Sequence, residues 1–165
     1  ALHNIINIGK GAALRTGCDY ALSKGAQAII VIDADGQHNP NKIPGFLEKL
    51  NVSEIVFGYR KFSAKMPFVL RFGNGFINKT SQILNKIKLN DTQCGYRAFT
   101  AETYKKIRWK ASDYSMESEM IAKAGKNKLQ YNQLPIETIY SDKYKGTTVI
   151  DGIKIVIKMI WWKLN

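Results

Sequence analysis

A chain of 165 residues, 45% of them hydrophobic, is long enough for one globular domain with a buried core and too short for several. Its 25 lysine and arginine residues outnumber 13 acidic residues, and the net charge of +12 favours a polyanionic partner such as nucleic acid, a phosphorylated substrate or an anionic membrane surface. No run of eighteen apolar residues occurs, so we predict that no segment spans a bilayer and that the protein is soluble or peripheral to a membrane. The two cysteines, Cys18 and Cys94, lack metal-ligand spacing, which favours a reduced intracellular protein.

Strand and helix patterns alternate along the chain. Residues 28–32 are apolar on both faces, which is typical of a central parallel strand covered by helices. The first half of the chain predicts a strand at 2–8, a helix ending at Gly25, the strand at 28–32, a helix from the cap Asn39 to Leu50, and a strand at 54–60. The helix that Asn39 caps is expected to have an irregular first turn. The second half predicts a helix at 67–87, a turn and strand at 91–100, a helix at 116–125, a strand at 128–140, a loop at 140–148 and a helix at 149–165. This order predicts one α/β domain over residues 1–165, with a partly parallel, twisted sheet and helices on both faces.

Two carboxylates follow the strand at 28–32. Asp33 and Asp35 point to the same side of an extended chain, and open α/β sheets bind ligands beyond the carboxyl ends of their strands. Two carboxylates that point into the same small space repel each other unless a cation lies between them. Carboxylate oxygens of this kind are suitable ligands for Mg2+ or Mn2+. Gln37 continues the spacing with a carbonyl oxygen. The alternative is structural: Asp33 caps the next turn, Asp35 forms an Asx-turn, and His38 lies on the surface.

Five segments carry a family resemblance: NIGKGAALRTG, DADGQHNP, FGYRK, DTQCGYRAF and SMESEM, in that order. Together they resemble the family 2 glycosyltransferases, in particular the branch of the dolichol-phosphate mannosyltransferases and polyprenyl-phosphate glycosyltransferases. The resemblance implies a nucleotide-sugar glycosyltransferase (GT-A-like) fold, with Mg2+ or Mn2+ bound at Asp33, Asp35 and Gln37. It implies transfer of a sugar from a GDP- or UDP-linked donor to a polyprenyl (dolichyl-type) phosphate, with inversion at the sugar carbon. Family members begin with strands ending in P-x-Y-N-E and D-D-x-S, which have no counterpart here, so we expect a partial catalytic domain that lacks its first strands.

Binding residues are expected at two further places. Lys10 and Gly11 lie in a GKG turn at the start of a helix, where backbone N–H groups and the helix dipole attract phosphate, although a glycine-rich turn with a solvated lysine would look the same. The resemblance makes both residues candidates for donor binding. It also implies that Arg60 and Arg71 hold the acceptor phosphate, because a planar guanidinium group binds two oxygens at once. The alternative is that both are ordinary surface arginines.

Three residues are candidates for catalysis. The resemblance implies that Asp91 and Arg97 approach the same pocket, with Asp91 capping a turn as the alternative. A phosphate acceptor is already anionic, so Asp91 would orient the sugar or stabilise positive charge rather than act as a strong base. Glu117 and Glu119 lie two residues apart on one helix and diverge, so at most one of them reaches the site. We assign that role to Glu117 and expect Glu119 in solvent.

The segment at 149–165 predicts a basic amphipathic helix with two tryptophans. Such a helix lies at a lipid interface or packs on the protein core. A lipid-linked acceptor favours the interface. We therefore predict a cytoplasmic protein, peripheral to the cytoplasmic face of a membrane.

Two other functions fit parts of the sequence. A haloacid-dehalogenase-like phosphatase also has D-x-D-G at a strand end, with the first aspartate as nucleophile, but Gln37 argues against that class. A basic nucleic-acid-binding module would explain the charge, but paired aspartates at a strand end would repel phosphate. We therefore predict a metal-dependent glycosyltransferase that binds no nucleic acid.

Overall fold

A computed structural model describes residues 2–60, 68–137, 157–158 and 161 of the chain. The predicted loop at 140–148, most of the predicted helix at 149–165 and the side chain of Arg71 lie outside the described residues. Within the predicted C-terminal helix, the described residues Ile157, Lys158 and Trp161 are helical. None of the helices described combines the length and the apolar character needed to cross a bilayer.

Most of the predicted elements are present. The helices are α1 (Lys10–Ser23), α2 (Ile43–Leu50), α3 (Phe68–Asn85), α4 (Ala101–Ile107) and α5 (Met116–Lys126), and the strands are β1 (Ala28–Val31), β2 (Ile55–Arg60), β3 (Arg97–Thr100) and β4 (Tyr131–Ile136). The side chain of Asn39 accepts a hydrogen bond from the backbone N–H of Asn41 at 3.0 Å, and a 3-10 turn at Pro40–Lys42 precedes α2. The predicted irregular start of this helix is therefore confirmed.

The four strands form one sheet in the order β1, β3, β2, β4. β2 and β4 are parallel, whereas β3 is antiparallel to both β1 and β2. The predicted partly parallel sheet is confirmed, but the prediction that residues 28–32 form a central parallel strand is wrong for the described sheet. β1 lies at its edge and pairs antiparallel with β3. An apolar run indicates that helices cover a strand on both faces. It does not indicate whether the neighbouring strand runs parallel or antiparallel.

Helices cover both faces of the sheet. Ile55, Phe57 and Phe99 pack into a cluster with residues of α1, α4 and α5. Val56 and Ala98, which point the other way, pack against Phe46 of α2. The predicted layer arrangement, helices on both faces of a sheet, is therefore confirmed.

Two local predictions differ from the structure. Residues 2–8 form no strand, and Ile5 and Ile6 are 102% and 68% exposed. A strand needs a hydrogen-bonded neighbour, and no described strand pairs with this segment. Helix α4 was not predicted, although Thr100 caps it by accepting a hydrogen bond from the backbone N–H of Thr103 at 3.1 Å.

The two cysteines provide a simple test of the packing. Cys18 and Cys94 are 3% and 1% exposed, and burial raises the pKa of each thiol to about 12. Because the thiolate is the reactive form, we expect neither thiol to react with an aromatic disulfide reagent in native buffer, and both to react once urea unfolds the protein. Rapid release of the coloured thiol from the native protein would contradict this packing.

Candidate active site

The candidate site lies where β1 and β2 end and β3 begins. Because β3 is antiparallel to both neighbours, the segment before β3 meets the carboxyl ends of β1 and β2. Val31 at the end of β1 lies opposite Arg97 at the start of β3. Asp33 and Asp91, distant in sequence, are thereby brought to the same end of the sheet, beyond the carboxyl ends of β1 and β2. Open α/β sheets bind their ligands at the carboxyl ends of their strands.

Lys10 forms an ion-paired cluster with two carboxylates. Its Nζ lies 2.8 Å from Oδ1 of Asp33 and 2.9 Å from Oε1 of Glu117. Burial by itself lowers the pKa of Lys10, but the attraction of Glu117 and Asp33 more than offsets this, and the pKa is raised. Lys10 is therefore a permanent cation at the start of α1, shared between two acids.

Glu117 and Glu119 diverge, as predicted for residues two apart on a helix. Glu117 turns towards Lys10, whereas the carboxylate of Glu119 accepts hydrogen bonds from the backbone N–H groups of Lys110 and Ala111 at 2.9 and 2.8 Å. The expectation that Glu119 lies in solvent is wrong, since both glutamates are 4% exposed. Glu119 stabilises the loop before α5 because it satisfies two backbone donors.

The turn after Asp33 contains Asp35, Gln37 and His38. Oδ1 of Asp35 accepts a hydrogen bond from the backbone N–H of Gln37 at 3.0 Å, so the Asx-turn is present, and the Asp35 side chain is exposed. His38 is half-buried, contrary to its placement on the surface, and its ring stacks on Tyr96 with 5.4 Å between centroids. Its Nδ1 is buried and has no hydrogen-bond partner among the described residues. Burial lowers the pKa of His38 despite the nearby aspartates, which favours the neutral ring.

Asp33, Asp35 and Gln37 carry the kind of oxygen atoms that a hard divalent ion takes as ligands. Among the described residues, no group of three or more His, Cys, Asp and Glu side chains has the arrangement of a metal site. Asp33, Asp35 and the amide of Gln37 would supply oxygen atoms, leaving the remaining positions to water and phosphate, as Mg2+ commonly requires. In the structure, the ammonium of Lys10 lies 2.8 Å from Oδ1 of Asp33.

Asp91 forms a two-point ion pair with Arg60 at the end of β2. Oδ2 accepts from Nε at 2.6 Å, and Oδ1 accepts from Nη2 at 3.1 Å. Oδ1 also accepts from the backbone N–H of Gln93 at 3.0 Å, so the turn-capping alternative is present as well. The Asp91 side chain is 3% exposed and that of Arg60 is 19% exposed. The ion pair is therefore largely shielded from solvent. Its two parallel contacts need the planar guanidinium group, and a lysine could not reproduce them.

Asn78 of α3 is a residue that the sequence interpretation missed. Its Oδ1 accepts hydrogen bonds from the backbone N–H of Thr92 at 3.0 Å and from the Thr92 hydroxyl at 2.7 Å. Its Nδ2 donates to the carbonyl oxygen of Asn90 at 2.8 Å. Asn78 thus holds both neighbours of Asp91. The only sequence signal is an asparagine beside the buried Ile77 of an amphipathic helix.

Arg97 is buried beneath the site. The sequence predicts that it reaches the pocket, but the residue is 1% exposed and donates to the carbonyl oxygens of Thr92 at 2.8 Å, Cys94 at 3.0 Å and Glu117 at 2.8 Å. Burial lowers the pKa of its guanidinium. Arg97 therefore connects the loop that carries Asp91 to the start of α5.

Two glycines permit close approaches at the site. A β-carbon at Gly95 would overlap the carboxylate of Asp33. A β-carbon at Gly11 would overlap the carbonyl oxygen of Ala111, and the Gly11 carbonyl accepts from Nε1 of Trp109 at 2.7 Å. Gly11 thus packs the start of α1 against the 111–113 loop, while Lys10 faces the carboxylates.

Comparison with protein families agrees with this arrangement. A family model described as Glycosyl transferase family 2 matches residues 2–115, which is more than half of the chain. The chain belongs to glycosyl transferase family 2. This family 2 chain is 36% identical to an uncharacterised protein of Methanocaldococcus jannaschii, over 98% of the chain and 70% of that protein. It is 33% identical to the UDP-N-acetylglucosamine–dolichyl-phosphate N-acetylglucosaminyltransferase of Methanococcus voltae, over 96% of the chain and 67% of that enzyme.

Solved structures confirm the fold expected for the family 2 chain. The glucosyl-3-phosphoglycerate synthase of Mycobacterium tuberculosis in complex with UDP matches with a TM-score of 0.64 and 15% identity, over 92% of the chain and 55% of that protein. A further structure of this synthase, with Mn2+, UDP and glucosyl-3-phosphoglycerate, has a TM-score of 0.59 and 13% identity. The chain spans about half the length of these solved proteins. At such identity the likeness is one of fold alone.

Proposed function

We propose that this chain carries the catalytic centre of a metal-dependent glycosyltransferase that moves a sugar from a nucleotide-sugar to a polyprenyl phosphate, with inversion at the sugar carbon. The observation that carries the proposal is the meeting of two charged clusters at the carboxyl ends of the strands. One joins Lys10 to Asp33 and Glu117, and the other joins Arg60 to Asp91. In a family 2 chain, the first cluster together with a bound divalent cation suits the donor diphosphate, and Arg60 of the second suits the acceptor phosphate.

On the donor side, Asp33, Asp35 and Gln37 would hold Mg2+ or Mn2+. When bound, the metal would supply positive charge that stabilises the departing nucleoside diphosphate. Lys10, already beside Asp33, would add a second positive charge by exchanging a carboxylate contact for a phosphate oxygen. Gly11 supports this position by letting α1 pack closely against the 111–113 loop.

On the acceptor side, Arg60 and Arg71 would bind the lipid phosphate. An oxygen of this phosphate forms the new bond to the sugar carbon while the bond to the diphosphate breaks, and no proton has to be removed first. Asp91 orients Arg60 through two contacts and stabilises positive charge on the sugar. Glu117 keeps the ammonium of Lys10 beside Asp33, and Arg97 positions the Asp91 loop from below.

The names of similar proteins support the substrate class. The Methanococcus voltae enzyme is named for UDP-N-acetylglucosamine and dolichyl phosphate, and the Mycobacterium tuberculosis synthase has been solved with UDP and with Mn2+. We therefore propose a UDP- or GDP-linked donor, with these names favouring UDP, and a dolichyl-type acceptor. A lipid acceptor would place the protein at the cytoplasmic face of a membrane.

Calorimetric titration of UDP and GDP, with and without Mn2+, tests the donor side. We expect binding that requires Mn2+ and that is lost in the Asp33→Ala, Asp35→Ala double variant. The matched control replaces two exposed acids outside the site, Glu48→Ala and Glu102→Ala, and should bind like the wild type. Equal binding by the aspartate variant, or no binding of either nucleotide by the folded wild type, would overturn the proposed donor site.

A further inference from the structure

A cavity of about 1080 Å³ lies beside the 111–113 loop, which separately packs against Gly11. It is formed by the ends of α3 and α5, the loop before α5 and the C-terminal residues Lys158 and Trp161. None of the candidate site residues whose side chains the structure describes lines it. Six lysines do: Lys86, Lys110, Lys123, Lys126, Lys128 and Lys158. We call this feature the lysine cavity.

Within the described part of the chain, acids pair with only two of the six lysines of the lysine cavity. Two acids line it, and each is paired, Glu119 with Lys123 at 2.9 Å and Asp113 with Lys158 at 2.7 Å. The other four lysines form no ion pair with any described residue, and all four are exposed. Like charges gathered at one concave surface give it a positive potential, which attracts an anion.

Two of these lysines stand where the backbone favours glycine. Lys86 follows α3 with a φ of 57°, and Lys128 follows α5 with a φ of 51°. They are the two non-glycine residues with positive φ in the described part of the chain. Helices commonly end with glycine or asparagine in this conformation, because a β-carbon is strained there. Both positions place a lysine at the same cavity, and strained residues cluster at ligand-binding sites.

One side of the lysine cavity has an exposed apolar rim, formed by Trp161 and Ile157. Trp161 lines the cavity and is 61% exposed, and Ile157, one helical turn earlier, is 62% exposed. Tryptophan beside lysines is typical of segments that lie at the boundary between lipid headgroups and acyl chains. A ligand that joins a phosphate to an apolar layer would place the phosphate beside the lysines and the apolar layer beside Trp161 and Ile157.

We propose that the lysine cavity binds the phosphate headgroup of an anionic phospholipid, with Trp161 and Ile157 in the adjoining interface. The inference deepens the proposed function and rests on its membrane location, since it names the lipid that would hold the chain at the surface where a polyprenyl phosphate lies. Nucleic acid offers phosphates as well, but it gives no reason for an exposed Ile157 at the rim.

Flotation with lipid vesicles tests this proposal. Wild-type protein should float with phosphatidylcholine vesicles that contain phosphatidylglycerol and not with phosphatidylcholine alone, and the binding should weaken as salt is raised. The Lys86→Gly, Lys128→Gly variant should bind about tenfold more weakly or worse. Its thermal unfolding midpoint should change little, because relief of strain opposes the greater freedom of glycine in the unfolded chain.

The control is Lys24→Gln, Lys49→Gln, which removes the same charge from lysines that do not line the cavity. Equal weakening by the control, or equal flotation with both kinds of vesicle, would overturn the proposal. So would wild-type protein that ignores the vesicles but binds an RNA oligonucleotide or inorganic pyrophosphate through Lys86 and Lys128. The vesicles hold neither polyprenyl phosphate nor nucleotide-sugar, so this result is independent of the nucleotide titrations.

Discussion

Replacement of Arg97 by methionine is expected to lower the free energy of unfolding by about 3–5 kcal/mol. The fully buried guanidinium donates to the carbonyl oxygens of Thr92, Cys94 and Glu117. Methionine fills part of the space but donates nothing, so three buried carbonyl groups lose their partner, at about 1–3 kcal/mol for each group left without another donor. Urea denaturation followed by circular dichroism measures the change.

Arg15→Met is the matched control for this substitution. Arg15 also donates to two carbonyl oxygens, those of Trp109 at 3.3 Å and Lys110 at 2.9 Å, but from a half-exposed position where water replaces it. We expect a loss below about 1 kcal/mol. If Arg97→Met folded as stably as Arg15→Met and lost only nucleotide binding, Arg97 would belong to the pocket and not to its support.

Replacement of Gly95 by alanine is expected to weaken Mn2+-dependent nucleotide binding by about 10- to 100-fold. The new methyl group would overlap the carboxylate of Asp33, which must then shift from the position in which it contacts Lys10. Glycine has no side chain that could bind a ligand, so the loss of nucleotide affinity would act through Asp33. Calorimetric titration of UDP in the presence of Mn2+ measures it.

Gly17→Ala provides the control for Gly95. Gly17 lies within α1, and a β-carbon there meets no atom within 4 Å. Alanine is a better helix former, so this variant should gain about 0.5–1 kcal/mol of stability and bind nucleotide unchanged. Wild-type affinity in Gly95→Ala would show that Asp33 is not a ligand of the donor site.

The chemistry of the site was predictable from sequence because each candidate stands at a recognisable place in its own element. Asp33 ends an apolar strand, Lys10 starts a helix between two glycines, and Glu117 and Glu119 diverge by helix geometry. The five family segments add Asp91 and Arg60 to this set. The structure brings Lys10, Asp33 and Glu117 into contact and pairs Arg60 with Asp91.

Contacts between segments that are distant in the chain could not be predicted from the sequence. Arg97 looks like a pocket residue because it follows the Asp91 motif, but the inward direction of its side chain depends on the pairing of β3 with β1 and β2. The role of Asn78 depends on α3 lying beside the 90–92 loop. The lysine cavity draws its charges from four separate segments, at Lys86, Lys110, 123–128 and Lys158, and their meeting is not visible in any one of them.

The sequence by itself determined the alternation of helices and strands, the helices on both faces of the sheet, the family, and the residue types gathered at the strand ends. These follow from short-range periodicity and from local motifs, which act within one element. Only the tertiary structure decided that β1 pairs antiparallel with β3, that Arg97 supports the site from below, and that six lysines face one cavity. Those features depend on strand direction and long-range packing, and neither leaves a periodic trace in a single segment.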